Sequence, residues 1–246
     1  MKHLKTFETY ELTHNIQDVF DQISLYKVSD KIYCVVIKDS HLRAMTFLRL
    51  QEYYESASEE FQGKKFTWDK YIQWYKCSTG DQKEVFTYGE DWTGFNLPSE
   101  AIDNCMKEID DPNKYDDIMV SIITEIKEKE DGKFYLIGVD ELGGEGVLDH
   151  ELAHGFYYTD DLYRSKMNGL LSFLPKEERA SISKSIIDIG YSESVINDEA
   201  QAYMATGLIS RMSKSLSKYT QPFELAFKDA RMKHFTPPTK IEVTFI

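Results

Sequence analysis

The chain has 246 residues, a formal net charge of −13 and an isoelectric point near 5.0. Nucleic acids and anionic membranes bind basic surfaces, so this acidic balance argues against both as partners. Hydrophobic residues make up 41% of the chain, which is enough for a sizeable core, yet no run approaches the ~20 apolar residues of a membrane span.

The N-terminus, residues 1–8 (MKHLKTFE), lacks the apolar segment of a secretory signal peptide. The three cysteines are odd in number and widely spaced, so they predict neither a disulfide framework nor a CxxC metal site. These cysteines are Cys34, Cys77 and Cys105. We therefore expect buried free thiols and a cytoplasmic location.

The first half of the chain mixes strands and helices. Residues 31–37 (KIYCVVI) predict a strand, and residues 66–75 (FTWDKYIQWY) predict a helix with Thr67 as its N-cap. The aromatic side chains at helical spacing in that helix are Tyr71, Trp74 and Tyr75. This spacing favours positions in the core, and an exposed aromatic groove for a peptide is the alternative.

A glycine-containing loop or hairpin is expected over residues 86–98, followed by a helix over residues 98–109. The turn at residues 110–113 (DDPN) is a candidate lobe boundary. It divides the chain into an N-terminal α/β region of unassigned role, residues 1–115, and a core, residues 116–246. One continuous domain is the alternative.

A β-hairpin is predicted next. Its strands are residues 118–126 and 134–139, and Asp131 and Gly132 form the turn. After the second strand, three glycines suit a tight turn into a helix. These glycines are Gly143, Gly144 and Gly146.

Residues 150–154 read HELAH, an instance of the pattern H-E-x-x-H. On an α-helix, His150 and His154 lie one turn apart on the same face, so both imidazoles can reach one Zn²⁺. Glu151 lies beside them, where it can act on a metal-bound water. The residues therefore predict the metal ligands and the base of a zinc hydrolase.

The surrounding residues favour a helix at HELAH. No proline interrupts residues 147–158, and Gly155 leaves room for a close neighbour. The apolar residues on the face opposite the histidines are Leu148, Leu152 and Phe156. Beyond Asp160 the chain is predicted to be almost wholly helical. The expected helices are residues 161–173, 176–189, 192–210 and 221–233.

A catalytic zinc usually has three protein ligands, so a third is expected downstream. Residues 195–203 (VINDEAQAY) predict a helix with two acids, Asp198 and Glu199. We favour Glu199 as the ligand, because its helix face also carries Ala202, and a small residue allows a close approach to HELAH. Asp198 points about 100° away, which better suits a hydrogen bond to an imidazole N–H. The other residues on the Glu199 face are Tyr203 and Thr206.

The combination of H-E-x-x-H with E-x-x-A on a later helix resembles the gluzincin branch of the zincin metallopeptidases. The resemblance covers about residues 133–207, and the metzincin pattern with a third histidine is absent. It implies an α+β, zincin-like fold, in which a small sheet precedes the active-site helix and a mostly helical C-terminal part follows. It also implies that His150, His154 and Glu199 bind zinc and that Glu151 is the general base.

A chain of this kind is expected to be a zinc-dependent metallopeptidase that acts on a peptide or protein substrate. The metal lowers the pKa of its water toward ~7, and Glu151 takes the proton and passes it to the leaving amine. Another donor is expected to stabilise the oxyanion. The candidates are Tyr158, Tyr191, Tyr203, His234 and Arg164.

Two other functions fit the same residues. One is a catalytically silent zincin-fold module that uses a metal for stability and its aromatic first half for protein recognition. The other is a helical interaction protein without a metal, in which HELAH is a coincidence. Within the metal hypothesis, Mn²⁺ or Co²⁺ could occupy the same donor set as Zn²⁺.

Overall fold

The structure, a computed structural model, describes residues 19–56, 58–78, 86–143, 146–209, 212 and 214–245. Within this part of the chain, helices and a five-stranded sheet form a mixed α+β architecture, as predicted. The strands are β1 (Ile23–Ser29), β2 (Ile32–Ile37), β3 (Phe95–Pro98), β4 (Tyr135–Val139) and β5 (Phe235–Ile241). Their order is β3-β4-β2-β1-β5, so β3 and β5 are the edges. The expectation for residues 1–8 falls outside the described residues.

The sheet is antiparallel except between β2 and β4. β1 and β2 form a hairpin, and Lys31 in its turn has a φ of 60°. β2 confirms the strand predicted at residues 31–37. Ile32 of β2 lies opposite Tyr135 of β4. Because parallel strands start at the same end of a sheet, a long crossover must join them, and the helices of the first half lie in it.

Alternate residues of the central strands face opposite sides of the sheet. Tyr33 and Leu136 face a core cluster that contains the helices of the first half. Ile32 and Ile137 face a second cluster that contains the C-terminal helices. Strands that are apolar on both faces are buried on both faces, so the sheet is the middle layer between two layers of helices.

The first layer contains the helices of the N-terminal half. They are α1 (Ser40–Glu55), α2 (Trp68–Ser78), α3 (Tyr88–Asp91), α4 (Ser99–Glu108) and α5 (Lys114–Lys127). The helices predicted at residues 66–75 and 98–109 are confirmed as α2 and α4. Tyr71 and Tyr75 are buried in this core, as their spacing predicted. Residues 86–98 contain α3 and the edge strand β3, not a loop or hairpin.

The predicted hairpin was wrong, because residues 118–126 belong to helix α5. The Asn113 side chain accepts a hydrogen bond from the Asp116 N–H, and the Asp116 carboxylate accepts one from the Asn113 N–H. This reciprocal cap starts a helix. The isoleucines at four-residue spacing on its buried side are Ile118, Ile122 and Ile126. Their β-branched composition indicated a strand, but their spacing and the cap are those of a helix.

The second layer contains the C-terminal helices. They are α6 (Val147–Thr159), α7 (Asp161–Phe173), α8 (Lys176–Asp188), α9 (Ile196–Thr206) and α10 (Gln221–Lys233). The helix expected at residues 192–210 is shorter, because a 3₁₀ turn at Glu193–Val195 precedes α9 and Gly207 (φ 142°) follows it. Residue 210 lies outside the described residues. Strand β5 was not predicted: it carries two prolines, which a sheet tolerates at an edge.

No helix in the described part of the chain is long and apolar enough to cross a membrane. Cys34 and Cys105 are buried free thiols, as expected, whereas Cys77 is exposed, because it lies on the outer side of the last turn of α2. Strand β2, from residues 1–115, pairs with β4, from residues 116–246. The division of the chain between these two regions stays a prediction.

Candidate metal centre

Helix α6 carries HELAH and lies directly against the sheet. Gly146, at a φ of 82°, precedes the helix, and Gly144 of the predicted glycine turn lies outside the described residues. A Cβ at Gly155 would lie 2.7 Å from Ile32 Cδ1 and 3.3 Å from Tyr135 Cδ1. The glycine therefore allows the close approach that the sequence predicted, and the sheet fixes the position of the helix.

Helix α9 packs against α6. Ala202 is fully buried, as expected for a small residue at a close helix contact. The Tyr203 ring lies 4.6 Å from the His150 ring, measured between centroids, and Thr206 Oγ1 lies 3.2 Å from His150 Nδ1. The face of α9 that carries Glu199 is therefore the face that meets HELAH.

Two imidazole nitrogens and one carboxylate converge at this contact. His150 Nε2 and His154 Nε2 are 3.3 Å apart. Glu199 Oε1 lies 3.5 Å from His154 Nε2, and its Oε2 lies 3.8 Å from His150 Nε2. Ligand atoms about 2.1 Å from a tetrahedral ion are about 3.4 Å apart, so the three side chains have the separation that one such ion needs. This His-His-Glu group can hold a metal ion.

Hydrogen bonds at Nδ1, the ring nitrogen that points away from the triad, determine the tautomers of His150 and His154. His154 Nδ1 lies 2.8 Å from Asp198 Oδ1, and a carboxylate only accepts, so this nitrogen carries the proton. Thr206 donates its own hydrogen to a backbone carbonyl 2.8 Å away, so it accepts from His150 Nδ1. Both Nε2 atoms then direct lone pairs at each other and at Glu199. Such an arrangement is repulsive unless a cation, either a proton or a metal ion, lies among them.

The charges around the triad of His150, His154 and Glu199 are negative. Glu199 is 1% exposed, and its Oε2 has no hydrogen-bond partner among the described residues. A buried acceptor without a partner is costly, and a bound cation would satisfy it. Burial acts to lower the pKa of His154, but Asp198, Glu199 and Glu151 outweigh burial and raise this pKa well above 6.5. The donor set and its surroundings therefore fit a divalent metal ion.

A cavity of about 790 Å³ is lined by His150 of the triad and by the neighbouring Glu151. Glu151 is 6% exposed, and its Oε2 has no hydrogen-bond partner among the described residues. The Asn96 side chain of β3 acts on the Glu151 carboxylate by lowering its pKa, and a Cβ at Gly94 would collide with Oε1. Burial raises the pKa of Glu151, although the two histidines and Asn96 oppose this shift. The carboxylate is thus confined on one side and open to the cavity on the other.

Two of the five residues considered as oxyanion donors, Tyr191 and Tyr203, line this cavity. The Tyr191 side chain acts on the Tyr203 hydroxyl by lowering its pKa, although burial outweighs this and raises the pKa of Tyr203. The other three have partners elsewhere in the structure. Those partners are Asp160 for His234, Asp161 for Arg164 and Ser99 for Tyr158. The geometry therefore reduces the candidates to two tyrosines.

Three further residues contact the site and had not been predicted to do so. Thr206 orients His150, and Asn96 and Gly94 contact Glu151. Thr206 lies on the predicted face of α9, but its bond depends on how α9 packs against α6. Asn96 and Gly94 come from far upstream, and only the pairing of β3 with β4 brings them to HELAH. No local pattern in the sequence signals that pairing.

A comparison with protein-family models, curated proteins and solved structures found no match to this chain. The site is therefore interpreted from its own geometry. That geometry establishes a mixed α+β fold and a His-His-Glu group that can hold a metal ion.

Proposed function

We propose that the protein is a zinc-dependent metallopeptidase with a zincin-like fold and a gluzincin-type site. His150, His154 and Glu199 hold the metal, and Glu151 is the general base. The observation that carries the proposal is the convergence of two Nε2 lone pairs and a buried carboxylate beside a cavity. A structural zinc site is closed by four protein ligands, whereas three donors at a cavity leave a position for water or substrate.

When bound, a zinc ion supplies Lewis acidity, which lowers the pKa of a coordinated water toward ~7 and polarises the scissile carbonyl. Glu151 accepts the proton of the attacking water on its carboxylate and passes it to the leaving amine. Burial raises the pKa of Glu151, which suits a group that must both take and give a proton. Asn96 opposes this shift by stabilising the ionised carboxylate of Glu151.

Other residues position this machinery. Asp198 and Thr206 accept from the outer ring nitrogens of the two histidines, which keeps each Nε2 lone pair aimed at the metal position. The Tyr203 ring packs against His150, and Tyr191 lies beside Tyr203 at the cavity wall. One of these two hydroxyls donates to the oxyanion.

The peptide substrate enters along β3. This strand is the sheet edge that borders the cavity, through Phe95 and Asn96. An edge strand offers unpaired backbone groups to an extended peptide. The Asn96 N–H donates to Gln51 Oε1 at 3.2 Å, so a paired peptide would replace this side-chain bond with a backbone bond.

The variant Glu151→Gln tests the proposal. It should keep about one zinc per chain, because Glu151 is not a ligand, and should hydrolyse a fluorogenic peptide library about 10²–10⁴-fold more slowly. Glu141→Gln makes the same chemical change at an exposed residue away from the cavity and should retain activity. Undiminished hydrolysis by Glu151→Gln would refute the general-base role.

The wild-type protein separates the alternatives. Stoichiometric zinc without cleavage of any library peptide would favour the catalytically silent metal-binding module. Absence of zinc, even after zinc is added back, would contradict both the peptidase and the silent metal-binding module, because both require the metal site. Elemental mass spectrometry on protein purified without chelator gives the metal content.

A further inference from the structure

The wall of the cavity beyond the triad is acidic and aromatic. Its described lining residues include eight aromatic side chains and five carboxylates, but no lysine or arginine. The carboxylates are Glu52, Glu55, Asp91, Glu151 and Asp188. Lys184 pairs with Asp188 at 2.5 Å from outside the wall. The other four acids line a space whose described wall contains no lysine or arginine.

Two of these acids are held by tyrosine hydroxyls. Tyr75 donates to Asp91 Oδ2 at 2.7 Å, and Tyr88 donates to Glu52 Oε1 at 2.8 Å. Such bonds stabilise the ionised carboxylate and fix its orientation. Asp91 also accepts from the Thr87 hydroxyl at 2.6 Å. The Asp91 carboxylate is therefore held at a defined position along the wall. Burial raises the pKa of Glu52 and of Glu55, so a cation close to these two acids would favour their ionised forms.

Aromatic faces accompany the acids. Trp92 follows Asp91 in the chain and lines the cavity, and its ring lies 6.0 Å from that of Tyr191 across the gap between the two helical layers. A carboxylate beside an aromatic face is a favourable environment for an ammonium or guanidinium group. Glu151 is nine-tenths buried and its Oε2 is unbonded among the described residues, which is a sign that a ligand completes this cavity.

We infer that the cavity binds the positively charged group of a peptide substrate, with Asp91 and Glu52 as counter-charges and Trp92 as an aromatic wall. The inference rests on the proposed function for the identity of the ligand as a peptide. The charged group is the guanidinium or ammonium of an arginine or lysine side chain, or a free amino terminus. The same wall repels acidic peptides.

The experiment compares arginine with citrulline, which has nearly the same shape but no charge. One arginine is moved along a short, N-acetylated, alanine-based peptide, and each peptide has a citrulline counterpart. An unacetylated peptide without arginine tests the free amino terminus. Hydrolysis is measured with wild-type protein, and binding is measured with Glu151→Gln by tryptophan fluorescence. At one position, arginine should be preferred at least about tenfold, and the preference should shrink as salt is raised.

Asp91→Asn should abolish most of this preference, since it removes the charge but keeps an acceptor for Tyr75. Glu128→Gln removes one charge at an exposed residue outside the cavity and should leave the preference intact. If Asp91→Asn fails to fold, Glu52→Gln, which keeps an acceptor for Tyr88, takes its place. An equal loss in the Glu128 variant would assign the preference to net charge and overturn the inference.

The outcomes separate this inference from the proposed function. Cleavage without preference for arginine or for the free amino terminus overturns the inference but supports the peptidase proposal. Tighter binding of the charged peptide that is lost in Asp91→Asn, without any cleavage, supports the cation subsite and contradicts the peptidase proposal. Equal binding of charged and neutral peptides, or no binding of either, overturns the inference whatever the activity.

Discussion

Two histidine–aspartate pairs in this molecule have the same length but different surroundings. His154 Nδ1 lies 2.8 Å from Asp198 Oδ1, and His234 Nε2 lies 2.8 Å from Asp160 Oδ2. The His154 side chain is 1% exposed and the His234 side chain 18%. At the buried pair, the second ring nitrogen of His154 faces another imidazole nitrogen and the carboxylate of Glu199.

The His234–Asp160 pair is complete without a ligand. Asp160 also accepts from Lys233 Nζ at 2.7 Å and from the backbone N–H groups of Leu162 and Tyr163, so it caps the start of α7. All of these partners are donors. At the buried pair, by contrast, three acceptors face one another. A histidine–aspartate pair therefore indicates a metal site only where the other ring nitrogen meets further acceptors.

Loss of a ligand should have the largest effect. We expect His154→Ala to reduce bound zinc to less than about a tenth of the wild-type content and to abolish hydrolysis, because two donors bind zinc far more weakly than three. His234→Ala is the matched control and should keep both. The measurement is elemental mass spectrometry after dialysis, and equal zinc loss in the two variants would contradict the assignment.

Loss of Asp198 should weaken metal binding without abolishing it. Asp198→Asn removes the charge that holds the Nδ1 proton of His154, and an outer partner of this kind affects metal affinity by about 10–100-fold. Competition with a chromophoric zinc chelator measures the change. Asp160→Asn should leave zinc affinity unaltered. An unchanged affinity in Asp198→Asn would show that Asp198 does not position the ring.

Loss of Asp160 should affect stability alone, and only modestly. Burial acts to raise the pKa of Asp160, but Lys233, His234 and two backbone N–H groups outweigh it and lower this pKa below the ordinary value of 3.8. Asn can still cap α7, so Asp160→Asn loses only the charged contacts. We expect the free energy of unfolding at pH 7 to fall by about 1–2 kcal/mol.

The pH dependence of this loss has a definite sign. A lowered carboxyl pKa stabilises the folded state above the unfolded pKa of about 4, and the stabilisation fades as the pH falls below it. Urea unfolding of wild-type and variant protein should therefore give curves that converge on acidification. If the difference in unfolding free energy between wild type and variant is constant with pH, the charge of Asp160 contributes nothing to stability.

The elements that sequence reasoning predicted well are those whose signals are local. The helix at HELAH, the strand at residues 31–37 and the helices after Asp160 follow from periodicity, proline positions and caps. The error at residues 118–126 has a local cause as well: β-branched residues were given more weight than their spacing. β5 escaped prediction because its prolines are acceptable only at the edge that β1 offers.

The sequence by itself determined the donor types and the spacing that places His150, Glu151 and His154 on one helix face, because one helical turn involves only neighbouring residues. Local helix geometry favoured Glu199 over Asp198 as the ligand, and the tertiary structure brought Glu199 to the two histidines and Asp198 to Nδ1 of His154. It also brought Asn96 to the site and formed the cavity. These choices depend on how apolar faces far apart in the chain bury one another, and no local pattern of residues specifies that packing.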